Sequence, residues 1–92
     1  MEIAKCWVVR KIYPGAEYLH FEDTKEDAIY YVERLPANDK KHVAAIYESF
    51  AGLGRWGYEE VYSEDIPSFN SSWGIDGGDS VSEEELNEIL LK

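Results

Sequence analysis

Residues 76–85, DGGDSVSEEE, set five carboxylates within ten positions and no base among them. Carboxylates this close, with glycines between, are the raw material of a calcium loop. An EF-hand loop needs oxygen donors at positions 1, 3, 5 and 12 and glycine at position 6. Counted from Asp76, the chain has Gly78 at position 3, Val81 at position 6 and Asn87 at position 12. The donors fall in the wrong places, and no metal ligand is assigned. Ser82 and Glu85 have instead the Ser-x-x-Glu spacing of a capping box, where the hydroxyl accepts a backbone N–H of the first helical turn.

Other residues able to do chemistry are scattered. His20 and His42 have no cysteine at metal-ligand spacing, and Cys6 has no helix N-terminus beside it to stabilise a thiolate. The serines and histidines show no arrangement that marks a nucleophile, a base and an orienting acid. The adjacent acids Glu59 with Glu60 and Glu64 with Asp65 are of the type that cleaves glycosides, but 92 residues leave little room for a sugar cleft. The glycines at 52, 54 and 57 of GLGRWG are not followed by the helix and acid of a dinucleotide fold. The expectation is a protein that is not an enzyme and carries no cofactor and no metal.

Charge is more informative. Residues 1–55 hold nine acids against eight bases, whereas residues 56–92 hold ten acids against Lys92 alone. A formal charge of −10 disfavours an anionic membrane, and no apolar run is long enough to span one. Direct nucleic-acid binding needs clusters of Lys and Arg, which the acidic part lacks. A basic protein surface is the expected partner. Trp56, Tyr58, Tyr62, Phe69 and Trp73 are interleaved with these acids. Tyr and Trp give contact area at low entropic cost, and carboxylates accept bidentate bonds from Arg. The same aromatics can equally fill the core of a small domain. The candidate binding residues are Glu59, Glu60, Glu64, Asp65, Asp76, Asp79, Glu83, Glu84 and Glu85, with Tyr58 and Tyr62 as anchors.

The elements that must carry these residues follow from periodicity. Residues 2–12, EIAKCWVVRKI, alternate and are rich in strand formers, Tyr13-Pro14-Gly15-Ala16 is turn chemistry, and residues 17–22 alternate again, so the pair reads as an antiparallel hairpin. Asp23 or Thr24 caps a helix whose Ala28, Ile29, Val32 and Leu35 recur at helical spacing before Pro36. Residues 39–53, DKKHVAAIYESFAGL, fit a helix through Val43, Ile46, Tyr47, Phe50 and Leu53 and also fit one arm of a second hairpin turning at AGLG; the helix is favoured. Residues 55–63 read as a strand with Trp56, Tyr58, Glu60 and Tyr62 on one side, residues 66–78 as a loop, and Leu86, Ile89 and Leu90 as the apolar face of a last short helix. Thirteen aromatic residues argue for an ordered core. The expected fold is a single α+β domain over residues 1–92, an antiparallel sheet of three or four strands packed against two or three helices. A lone cysteine and the absence of a secretory pattern point to a reducing cytoplasm.

Residues 21–35, FEDTKEDAIYYVERL, resemble the strand followed by a Thr-Lys-Glu-x-Ala helix opening found in many small phage-encoded proteins. With its short length, strong acidity and glutamate-rich tail, the chain resembles anti-CRISPR and antirestriction inhibitors. That resemblance implies a stoichiometric inhibitor that mimics DNA charge and occupies the nucleic-acid channel of a host defence nuclease. These inhibitors share no diagnostic motif, so the resemblance assigns no residue. Two alternatives stand beside it: an accessory module binding through an aromatic patch around Trp73, and a small enzyme using the acids between 59 and 65.

Overall fold

The computed structural model describes residues 2–59 and 79–91. Its first elements, β1 (Glu2–Tyr13) and β2 (Ala16–Glu22), form the expected hairpin. Pro14 presets the first turn position, and Gly15 takes the second with a φ of 79°, a conformation that an L side chain adopts only under strain. Next come α1 (Lys25–Glu33), the single turn α2 (Ala37–Lys40), β3 (Val43–Gly54) and β4 (Gly57–Glu59), with α3 (Glu83–Leu91) last. The strands make one antiparallel sheet in the order β2-β1-β3-β4. Among the described residues, four strands and three helices give the α+β fold that the periodicity predicts. Among the described residues no helix is long and apolar enough to cross a membrane.

Helix α1 begins where local chemistry dictates. Thr24 is extended, and its hydroxyl accepts the Asp27 backbone N–H at 3.1 Å. Glu26 and Asp27 sit in the first turn, where the helix dipole favours anions. Ala28 and Val32 are fully buried, while Tyr30 is 59 % exposed, so the adjacent Tyr30 and Tyr31 divide between solvent and protein.

At residues 6–9 both faces of the central strand β1 are buried. Trp7 and Val9 join Ala28, Val32, Val43, Ile46, Val81 and Ile89 in the main core under the helices. Cys6 and Val8 point the other way and pack with Ala51, Leu19, Phe21, Tyr47 and Tyr58. The uninterrupted apolar run Cys6-Trp7-Val8-Val9 is what a doubly covered strand requires.

The helix expected over residues 39–53 does not form. Residues 43–54 are a twelve-residue strand, β3, paired with β1 along its length. Arg10 pairs with Ala45 and Lys11 with Val43, so Ala44 is an extra residue in a bulge. The bulge turns Val43 and Ile46, three positions apart, onto one sheet face, and that spacing imitates a helix. Further along, Ile46 is buried on one face and Ser49 and Ala51 on the other, which erases simple alternation. The chain takes the second hairpin, turning at Arg55 and Trp56 just past AGLG, with Gly57 at a φ of 121°. Trp56 therefore stands in the turn, 90 % exposed, and not on a strand face beside Tyr58.

Candidate interaction surface

Residues 79–82, in the described part of the acidic stretch, are anchored through their backbone. The Glu48 N–H donates to the Asp79 carbonyl at 2.7 Å and the Val81 N–H donates to the Ile46 carbonyl at 2.9 Å, which sets Ser80 opposite Tyr47 as a one-bridge strand on the outer edge of β3. Val81 is buried in the main core. One residue later the Ser82 hydroxyl accepts the Glu85 N–H at 3.1 Å, and its carbonyl accepts the Leu86 N–H at 2.8 Å. Ser82 thus caps α3 as the spacing predicts. Asp79, Glu83 and Glu84 are left exposed and Glu85 half-buried. The carboxylates of Glu83 and Glu84 make no part of this anchoring.

Tertiary packing then brings a second set of acids to the same place. Lys25 Nζ, at the start of α1, lies 3.4 Å from Glu85 Oε1 in the first turn of α3. Glu26 and Asp27 are exposed beside Lys25. The first turns of the two helices hold Glu26, Asp27, Glu83, Glu84 and Glu85 around one lysine. Each acid is favoured by its own helix dipole by about 0.3–1 kcal/mol, which offsets mutual repulsion. Glu26 and Asp27 are not among the residues that the acidic C-terminal part singles out; the signal for them in the sequence is that two helices both open on acids.

Tyr58 has an internal partner. Its ring centroid is 6.0 Å from that of Phe21, and its hydroxyl donates to Asp23 Oδ1. That hydrogen bond first, then desolvation and the Asp23 charge, push the phenol up to about 12. The sheet coils enough for β4 to reach the end of β2 across the face opposite the helices, and this contact helps enclose Cys6 and Val8. Glu59 ends β4, opposite Gly52. Of the remaining candidates, Glu60, Tyr62, Glu64, Asp65 and Asp76 lie outside the described residues, as does Trp73.

Polar groups that the sequence left scattered are gathered where α1 crosses the hairpin. The His20 ring stacks on Tyr31 at 3.6 Å, and its Nε2 is 2.5 Å from Glu22 Oε2. Lys11 Nζ donates to the Tyr31 hydroxyl at 2.6 Å. The Tyr13 hydroxyl donates to Asp39 at 3.0 Å, and desolvation together with that bond raises its pKa above the usual tyrosine value. Beside this cluster Glu22, Asp27, Tyr30, Tyr31, Arg34 and Leu35 line an open groove of about 350 Å³, with room for a long side chain. Cys6 is buried, and burial, followed by the charges of Asp23 and Glu48, pushes its thiol up to about 11. It stays protonated at neutral pH, which fits an inert packing role.

Among the described residues no three His, Cys, Asp or Glu side chains converge as a metal site would require. In comparisons with protein-family models, with curated proteins and with solved structures, nothing matches this chain.

Proposed function

We propose that the chain is a non-catalytic inhibitor that binds a basic, nucleic-acid-binding surface on a partner enzyme, in the manner of the anti-CRISPR and antirestriction proteins it resembles. The observation that supports this reading is the pair of acidic helix starts joined by Lys25 and Glu85, in which Glu26, Asp27, Glu83 and Glu84 are exposed. An exposed carboxylate contributes only about 0.2–1 kcal/mol to an ion pair. A shared field from several of them governs association rate and salt dependence more than any one contact does.

Immobilised protein should retain basic nucleic-acid enzymes from a bacterial lysate at low salt and release them as salt rises. Replacing Glu83, Glu84 and Glu85 together by Lys should abolish retention, and the captured enzyme should lose nucleic-acid binding when the native protein is added. Failure to retain any basic protein, or indifference to the triple replacement, rejects the reading. Trp56, 90 % exposed in the β3–β4 turn, supports a second reading as an accessory module bound through aromatic contact. Salt-insensitive association lost in Trp56→Ala and unchanged by charge reversal would select it.

A further inference from the structure

The two sides of β2 are unequally used. The Ile12 N–H donates to the His42 carbonyl at 2.9 Å, so the even-numbered residues of this end of β1 bond toward β3. Ile12 pairs with Glu17, Arg10 with Leu19 and Val8 with Phe21, and in an antiparallel ladder only alternate pairs exchange hydrogen bonds. The bonded pairs are therefore those of Trp7, Val9, Lys11 and Tyr13. The N–H and C=O groups of Glu17, Leu19 and Phe21 point away from the sheet, and no described residue meets them. Proteins usually blunt such an edge with proline, lysine, a bulge or a very short strand. The seven residues of β2 contain no proline and no lysine and run against β1 without a register shift.

We propose that this free edge of β2 takes an extended basic peptide segment of the partner as an added strand. Side chains of an added strand alternate between the two faces of the sheet. On the helix side they meet the groove with the carboxylates of Glu22 and Asp27 and the exposed ring of Tyr30, over which Arg34 already lies at 5.1 Å. On the other side they meet Leu19 and Phe21. The fit is to a segment that alternates arginine or lysine with apolar residues. Charge selects this occupant: a second copy would bring together two chains of formal charge −10, and the chain's own residues 60–78 carry four acids and no base. The basic character of the partner rests on the function proposed above; the open edge does not.

The test is amide hydrogen exchange on the full-length protein with a capped peptide that alternates valine and arginine and spans β2. The Leu19 and Phe21 amides should exchange fast in the free protein and slow by about tenfold or more with saturating peptide, while the Tyr18 and His20 amides stay slow throughout. A peptide with glutamate in place of arginine should give no protection. Leu19→Pro removes the central outward donor and should weaken binding about tenfold; Asp27→Lys, which leaves the β2 backbone unchanged, should weaken it about threefold. Protection of Leu19 and Phe21 in the free protein overturns the proposal, by the chain itself if independent of concentration and by a second copy if not. Equal protection by the glutamate peptide overturns the basic occupant. Peptide binding that perturbs Glu83 to Glu85 and leaves the β2 amides fast overturns the added strand while sparing the acidic-surface reading.

Discussion

Along β3 the outer edge is filled twice, by β4 at Gly52 to Gly54 and by residues 79–81 at Ile46 to Glu48, whereas the outer edge of β2 meets no described residue. The filled edge is closed by backbone groups and one apolar side chain, Val81. It is followed at once by a serine that caps α3. Closing a sheet edge and starting a helix thus engage the amides and carbonyls of this segment, Val81 and the Ser82 hydroxyl, and leave the carboxylates of Glu83 and Glu84 pointing outward. Among the described residues, Glu85 alone of the three glutamates at 83 to 85 reaches another element, through Lys25 of α1. The β2 edge has the opposite character: its side chains are partly occupied, with Leu19 and Phe21 packed and His20 stacked on Tyr31, but no described residue meets its outward backbone groups.

The contrast is most easily broken at the filled edge. Ile46 is fully buried and its carbonyl receives the Val81 N–H. Ile46→Ala should destabilise the protein by about 2–5 kcal/mol in denaturant unfolding, a large share of the stability of a small domain. A loss under 1 kcal/mol would mean that residues 79–81 are not held there by the core. A second pair of variants sharpens the assignment of the open edge. Tyr18→Pro removes an N–H bonded to β1, whereas Leu19→Pro removes one that faces outward, so Tyr18→Pro should be the less stable by about 1 kcal/mol or more in its urea midpoint. The reverse order would place the free amides on the wrong residues.

Ser82→Ala should cost about 1 kcal/mol by loss of the α3 cap, with faster amide exchange confined to the first turn of that helix. An alkaline titration tests the link between the two edges. Cys6 and Tyr58 have folded-state pKa values raised to about 11 and about 12 from ordinary values of 9.0 and 10.0. The folded state holds these protons more tightly than the unfolded chain does. Their contribution to stability is therefore complete below pH 9 and is lost as pH rises through 9–11 for the thiol and 10–12 for the phenol. The thermal midpoint should fall across this range, and Tyr58→Phe should remove the upper part of the dependence. A flat profile would show that the Tyr58 and Asp23 contact does not join the edges.

Much of the local structure was legible. Pro14-Gly15 between two alternating runs specified the first hairpin, Asp23-Thr24 marked the start of α1 with the structure selecting Thr24 as its cap, and Ser82 with Glu85 specified the start of α3. The second hairpin was not, because the bulge at Ala44 gives β3 a helical spacing of apolar residues and because both of its faces are covered. Of the candidate binding residues, the glutamates at 83 to 85 stand in the first turn of α3, where the Ser82 cap puts them, whereas Asp79 lies on the β3 edge. Their neighbours Glu26 and Asp27 could not be found by spacing, since more than fifty positions separate them in the chain. Tyr58 was read as an anchor for a partner from its acidic surroundings, and its hydroxyl is directed to Asp23, 35 positions away.

By itself the sequence determined the caps, the first turn, the partition of charge and the two apolar faces of β1. Each of these rests on residues within a few positions of one another, where propensity and local hydrogen bonding act without help from the rest of the chain. The tertiary structure alone decided that residues 43–54 are a strand, that two acidic helix starts share one lysine, and that one sheet edge is filled while the other meets no described residue. A strand exists only when another supplies its ladder, and β1 offers residues 43–54 a partner on a side that a helix would leave unpaired.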